Sequence, residues 1–304
     1  MRLPRWLLLS AATALLWGVW GAYSEYPAKQ ISPPFPSTLI FVVNALAIIP
    51  VALLSLKKIN WRPALNKQAM AYGLAAGLTG GGGQLLLFLA LRDGPAYLIF
   101  PIIALSPAIT VGLSFWLLRE KAGWLAKFGI FLALVAIVLM SMQPATGQAV
   151  NGYLWLLLSL LVFLFWGVQA YIIKASAKAM DEDSMFVYLA VTLQLFILPA
   201  TALTDFNQPI NWGFQGPYLS FFIQLLNTAG VLLFVYAIKS GKAVVVVPII
   251  NGLYPVITIV LSLLVYRQWP YWPNAVGMIA AVAAIVMISY EEGRNQTPDP
   301  RPET

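Results

Sequence analysis

The polar side chains that fall inside long apolar runs of this sequence are Asn44, Gln84, Gln169, Thr192, Gln194, Gln224, Asn227 and Asn251. Seven are amides and one is a hydroxyl, groups that donate and accept hydrogen bonds without changing charge. They suit recognition of a neutral polar or zwitterionic molecule and cannot by themselves run acid–base or nucleophilic chemistry. The chain has no histidine and no cysteine. That removes imidazole bases, thiolate nucleophiles, disulfides and the usual zinc ligands together. No carboxylate or amine falls unambiguously mid-run, which argues against a buried proton relay and against strongly ionic cargo such as a sugar phosphate. No enzyme activity, metal or cofactor is expected.

Aromatic residues supply the second component. Trp17 and Trp20 are three apart and share a helix face, and Trp166 with Gln169 repeats that spacing. An aromatic wall facing an amide wall would hold a substrate with an apolar body and a polar end. The candidate substrate-binding residues are therefore Trp17, Trp20, Gln84, Trp166, Gln169, Asn227, Asn251 and Tyr254. Asn44, Thr192 and Gln194 rank below them, with interhelical glue as their alternative role. Trp116, Trp124, Trp269, Tyr271 and Trp272 sit at the ends of runs and read as an interfacial belt.

The elements that position these side chains follow from composition. Of 304 residues, 60% are apolar and 10% charged, with a mean hydropathy of +0.80. Soluble domains average about 25% charged residues, so this is a membrane protein. The net charge of +7 would need a charged face to serve nucleic-acid binding, and none is available. Ten runs of the length needed to cross a bilayer occur at 6–26, 37–56, 69–91, 95–118, 123–142, 152–174, 185–204, 217–238, 243–266 and 272–290. With the N-terminus inside, only Lys29, Arg92 and Arg267 of the 18 basic residues lie outside, leaving 18 − 3 = 15 on the cytoplasmic face. Both termini are thus expected in the cytoplasm.

The first run resembles a signal peptide in its basic start, but its Trp17-Gly18-Val19 recurs as Trp166-Gly167-Val168. A cleaved leader has no reason to match a later helix. The echo extends further, because residues 94–141 align with 241–289. Pro101/Pro248, Pro107/Pro255, Thr110/Thr258, Trp124/Trp272 and Gly129/Gly277 fall in register. The chain therefore divides into a first five-helix repeat (1–147), a second (148–290) and a short polar tail (291–304). Five is odd, so the second repeat enters the membrane from the opposite side. The fold expected is an all-α polytopic membrane protein of ten transmembrane helices arranged as two inverted repeats, a plan common in secondary transporters.

The segment from Gly94 to Lys121, its echo from Gly241 to Gln268 and the Trp-Gly-Val near the start of each half resemble the EamA-type branch of the drug/metabolite transporter superfamily. The resemblance covers nearly the whole chain. It implies a basket-like fold, a central cavity lined by helices one, three, four, six, eight and nine, and export of a small metabolite across an inner or plasma membrane. Amino acids are the first cargo it implies and sugars the second. Glu120, typical after the fourth helix, has Gln268 as its counterpart, so the second repeat does not carry that carboxylate. A non-transporting scaffold or sensor is the alternative of another class.

Other features carry two readings each. Pro101 and Pro107, with Pro248 and Pro255, could unwind helices four and nine at matching depth beside a site, or merely kink them. Gly80 to Gly83 could line a cavity or let helices approach closely. The Gly129–Ala133 and Gly277–Ala281 stripes could join the two halves, or two protomers of a homo-oligomer. Glu25, Asp93, Asp205 and Glu120 read as solvated loop residues. Glu25 stands apart because it follows the Trp17–Tyr23 face and can pair with Lys29.

Overall fold

The computed structural model describes residues 4–57, 59, 64–117, 123–142, 152–176, 179–240 and 243–296. Arg2, Lys58, Arg62, Arg119, Glu120, Lys121, Lys178, Lys242 and Arg301 lie outside the described residues. Ten helical spans among the described residues are long and apolar enough to cross a membrane. They are α1 (Arg5–Lys29), α2 (Ser37–Leu56), α3 (Lys67–Asp93), α4 (Ala96–Leu117), α5 (Trp124–Ser141), α6 (Leu154–Ser176), α7 (Asp183–Ala202), α8 (Phe214–Phe234), α9 (Ile249–Tyr266) and α10 (Trp272–Glu291). The helix that contains α9 begins earlier, at Ala243, and the one that contains α10 continues to Gln296, into the segment read as a polar tail. No strand is present among the described residues.

The packing has the symmetry of the repeat. α1 packs on α8 and α9, and α6 packs on the equivalent α3 and α4. α5 pairs with α10, α4 with α9, and α2 with α7, each helix meeting its own counterpart. Close approach at these contacts depends on missing side chains. A methyl group added at Gly129 would sit 2.7 Å from Ile288 Cγ1, and one at Gly277 would sit 3.0 Å from the Ala136 carbonyl. The small-residue stripes thus join the two halves. Asn274, unremarked in the sequence, donates from Nδ2 to the carbonyls of Leu139, Met140 and Met142. It caps the end of α5, whose last carbonyls have no helical donor.

The helix breaks are less symmetric than the prolines suggested. α4 is interrupted between Ala104 and Pro107, where Leu105 and Ser106 donate to carbonyls three residues back. In the second half the helix runs unbroken from Ala243 to Tyr266 through Pro248 and Pro255. One missing N–H removes one helical hydrogen bond, and flanking bonds carry the helix past it. The expectation of unwinding at matching depth therefore holds for α4 and fails for α9. Matched breaks occur instead in α2, at Ile48 before Pro50, and in α7, at Leu195–Phe196 before Pro199. Gln194 Nε2 bridges the two by donating to Ala190 and Ala45 carbonyls at 2.9 and 2.8 Å.

Side-chain packing divides the bundle along its axis. Phe35, Phe41, Leu87, Phe88, Leu91, Ile99 and Trp155, all fully buried, fill the end where α1 and α3 finish and α2, α4 and α6 begin. Trp116, Trp124, Trp269, Tyr271 and Trp272 are exposed, as an interfacial belt requires.

Candidate functional site: a neutral cavity between the repeats

A cavity of about 360 Å³ lies between the two halves. Trp17, Trp20, Gln84, Trp166, Gln169, Asn227, Asn251 and Tyr254 all line it. Pro101, Pro107, Pro248 and Pro255 do not, although Phe100 and Tyr254, their chain neighbours, do. The cavity is displaced toward the end opposite the aromatic plug. On α7 its walls come from Phe186, Leu189 and Leu193 in the first part of the span, and on α2 from Asn44 and Ile48, on either side of the midpoint.

Glycines on the helix facing each tryptophan set the position of its ring. Trp166, on α6, packs against α3, where a methyl group at Gly83 would come within 2.7 Å of its Cδ1 and Nε1. One turn away the Gln169 amide occupies the space a side chain at Gly80 would need. The other half repeats the arrangement, with the Trp17 ring 2.5 Å from the methyl position of Gly230 on α8. The glycine run is therefore both a packing surface and a cavity wall. The side chains it would otherwise carry would close the space.

Hydrogen bonding breaks this symmetry. Trp17 Nε1 donates to the Asn227 carbonyl at 3.2 Å, and Trp20 Nε1 to Gln224 Oε1 at 2.8 Å. Both indole donors that α1 brings to the cavity are consumed within the protein. The Trp166 indole makes no hydrogen bond to a described residue, and the buried Gln84 Nε2 has no partner either. The α3–α6 side of the cavity thus presents an open indole and an open amide donor. Ring faces dominate the α1–α4–α9 side, where Trp20 meets Phe100 edge-on at 5.4 Å and Trp17 meets Tyr254 edge-on at 5.9 Å. No charged side chain is among the described lining residues.

The family model for the EamA-like transporters matches twice, over residues 4–142 and 153–290, one match for each structural half. The chain belongs to the EamA-like transporter family. Among its relatives, Protein LicB of Haemophilus influenzae is 24% identical over 324 residues, covering 96% of this chain and all of that protein. The probable magnesium transporter NIPA7 of Arabidopsis thaliana is 23% identical, over 62% of each chain. A solved crystal structure with 16% sequence identity shares the fold at a TM-score of 0.59, covering 96% of this chain and 99% of the other.

Within this EamA-like chain, sequence reasoning ranked α2 and α7 too low. Asn44 lines the cavity beside Ile48, and Leu189 and Leu193 close it from α7. The signal was present, because the spacing that aligns Trp17 with Trp166 also aligns Pro50 with Pro199. Matched prolines there mark breaks beside the cavity. Thr192 and Gln194 do not line it: Thr192 packs on Gly77, and Gln194 bridges the breaks. The acidic residues also separate. Asp205 is exposed, and Asp93 pairs with its neighbour Arg92 at 3.0 Å. Glu25 is 2% exposed, so the solvated reading fails for it, and the pairing with Lys29 forms at 2.9 Å.

Proposed function

We propose that this protein is a secondary transporter that moves a small uncharged or zwitterionic metabolite by alternating access, its inverted halves rocking about the cavity. Support comes chiefly from one observation: between two repeats of opposite orientation lies a cavity walled by rings and neutral amides. Inverted repeats give a protein two related conformations, each exposing a site near the middle of the membrane to one face.

In this reading the eight lining residues named from sequence bind the substrate. Its oxygen-bearing end takes hydrogen bonds from Gln84, Gln169 and the Trp166 indole. Its apolar or ammonium end lies against Trp17, Trp20 and Tyr254, whose ring faces attract cations. Amino acids are the first cargo class and sugars the second. Export is the direction, and the break before Pro107 is a flexing point of α4. The membrane is an inner or plasma membrane, and the charge asymmetry supports both termini on its cytoplasmic face. Magnesium transport is less well matched, because Mg²⁺ sites use carboxylates and the described lining offers only neutral oxygens.

A thermal-shift panel on detergent-purified protein tests the substrate class. It should contain amino acids, zwitterions with methylated ammonium ends, sugars, nucleosides and magnesium chloride. A ligand held by the folded state raises its midpoint in a saturable way. Stabilisation by a zwitterion or neutral metabolite is expected. Stabilisation by magnesium alone would overturn the reading.

A further inference from the structure

Glu25 sits at the turn that ends the long helix of α1, beside the aromatic plug and away from the cavity. Its carboxylate accepts from Lys29 Nζ at 2.9 Å through Oε2 and from the Ala96 N–H at 3.3 Å through Oε1. Ala96 opens α4, so the carboxylate meets the positive end of that helix. Lys29 Nζ also donates to the Gly94 carbonyl at 2.7 Å. Two side chains of α1 therefore grip both sides of the α3–α4 turn, one taking its N–H and the other its carbonyl. One turn back on the same helix, the Tyr266 hydroxyl donates to the Ala22 carbonyl at 3.0 Å and ties in α9.

The repeat does not reproduce this clamp. The spacing that pairs Trp17 with Trp166 puts Lys174 at the position of Glu25 and Lys178 at that of Lys29. A lysine cannot accept a helix N–H. The clamp belongs to one end of the molecule, and it is the end that the plug closes.

We propose that Glu25 is a gating residue: with Lys29 it latches α1 to the α3–α4 turn, and the latch must part for the cavity to open at that end. The proposal rests on the alternating-access reading. A buried carboxylate stripped of its ammonium partner is strongly unfavourable. The latch therefore stays shut or leaves the interior as a unit, and it biases the resting protein toward the conformation described here. Glu25 acts on the gate and does not touch the substrate.

The absence of native cysteine allows a direct test. Ser220 is fully buried on α8, one turn from the Gln224 that Trp20 holds, on the seam leading to the latch. In nanodiscs, where both faces meet solvent, a lone S220C should react slowly with a maleimide. Adding Glu25→Gln or Lys29→Met should speed labelling by roughly tenfold or more. The charge swap E25K/K29E should not restore slow labelling, because Lys at 25 cannot accept the Ala96 N–H and Glu at 29 cannot donate to Gly94. A second measurement uses Thr38 and Thr204, whose hydroxyls are 2.6 Å apart at the same closed end. A T38C/T204C pair should crosslink more slowly when Glu25→Gln is added.

Unchanged labelling and unchanged crosslinking in folded variants would overturn the latch. Neither assay needs a substrate. Altered labelling without transport would count against the transporter reading, whereas transport with unaltered labelling would count against the latch alone.

Discussion

Thr258 Oγ1 donates to the Gly18 carbonyl at 3.1 Å, joining α9 to α1 across the boundary between the repeats. Thr110 makes the equivalent bond to Gly167 at 2.9 Å, joining α4 to α6. The two bonds relate residues that the internal repeat aligns, so the inverted symmetry reaches single hydrogen bonds. Each bond needs a glycine, because only a bare backbone brings the carbonyl this close to the neighbouring helix.

Alanine in a helix is normally favoured over glycine by about 1 kcal/mol. At Gly18 the added methyl would lie 2.5 Å from Ile257 Cβ and 3.2 Å from the Tyr254 carbonyl. Overpacking of this kind costs about 1–3 kcal/mol, which exceeds the propensity gain. Gly18→Ala and Gly167→Ala should each lower the thermal midpoint in detergent. A raised midpoint would show that the contact relaxes without cost.

Asn274 offers a test of the scaffold apart from the site. Asn274→Ala leaves three carbonyls at the end of α5 without their side-chain donor. A loss of about 1–3 kcal/mol is expected, visible as a lower unfolding midpoint. Ligand affinity should not change, since α5 and α10 contribute nothing to the described cavity lining.

The two symmetric tryptophans should respond differently to phenylalanine. Trp17→Phe removes a bond to the Asn227 carbonyl and should cost about 0.5–1.5 kcal/mol of stability. Its effect on affinity for an oxygen-bearing ligand should be small. Trp166→Phe removes a donor with no described protein partner, so stability should hold while affinity falls about five- to tenfold. Isothermal titration beside thermal unfolding separates the two. Equal effects of both changes on affinity would contradict the polarity assigned to the cavity.

Gly80→Ala tests the wall itself. The new methyl would overlap the Gln169 amide, which can escape only into the cavity. Binding should weaken by about tenfold or more, with a smaller effect on folding, because the displaced group is the end of a flexible side chain. Binding at the wild-type level would remove the α3 glycine run from the site.

Much of this was legible in the sequence because bilayer length and a duplication constrain it strongly. The ten spans and the pairing of like helices follow from apolar run length and from punctuation such as Trp-Gly-Val and Gly129/Gly277. The eight lining residues follow from polar and aromatic groups placed where lipid would penalise them. The failures arose where local chemistry does not determine geometry. Proline removes one helical bond but does not decide whether the helix breaks, so Pro107 interrupts α4 while Pro255 leaves the α9 helix intact. Burial of Glu25 was half visible, in its Lys29 partner. The contact that fixes it comes from the Ala96 N–H, 71 residues away, while its Lys29 partner is held by the Gly94 carbonyl, and no local pattern announces either.

The proposed transport requires that cargo be held in the cavity between the repeats. Uptake of radiolabelled ligand, chosen from the thermal-shift panel, into proteoliposomes tests it most directly. The wild-type protein should give saturable uptake, and Trp166→Ala and Asn251→Ala should each abolish most of it while remaining folded and correctly inserted. Saturable uptake at wild-type rates in both variants would contradict the account.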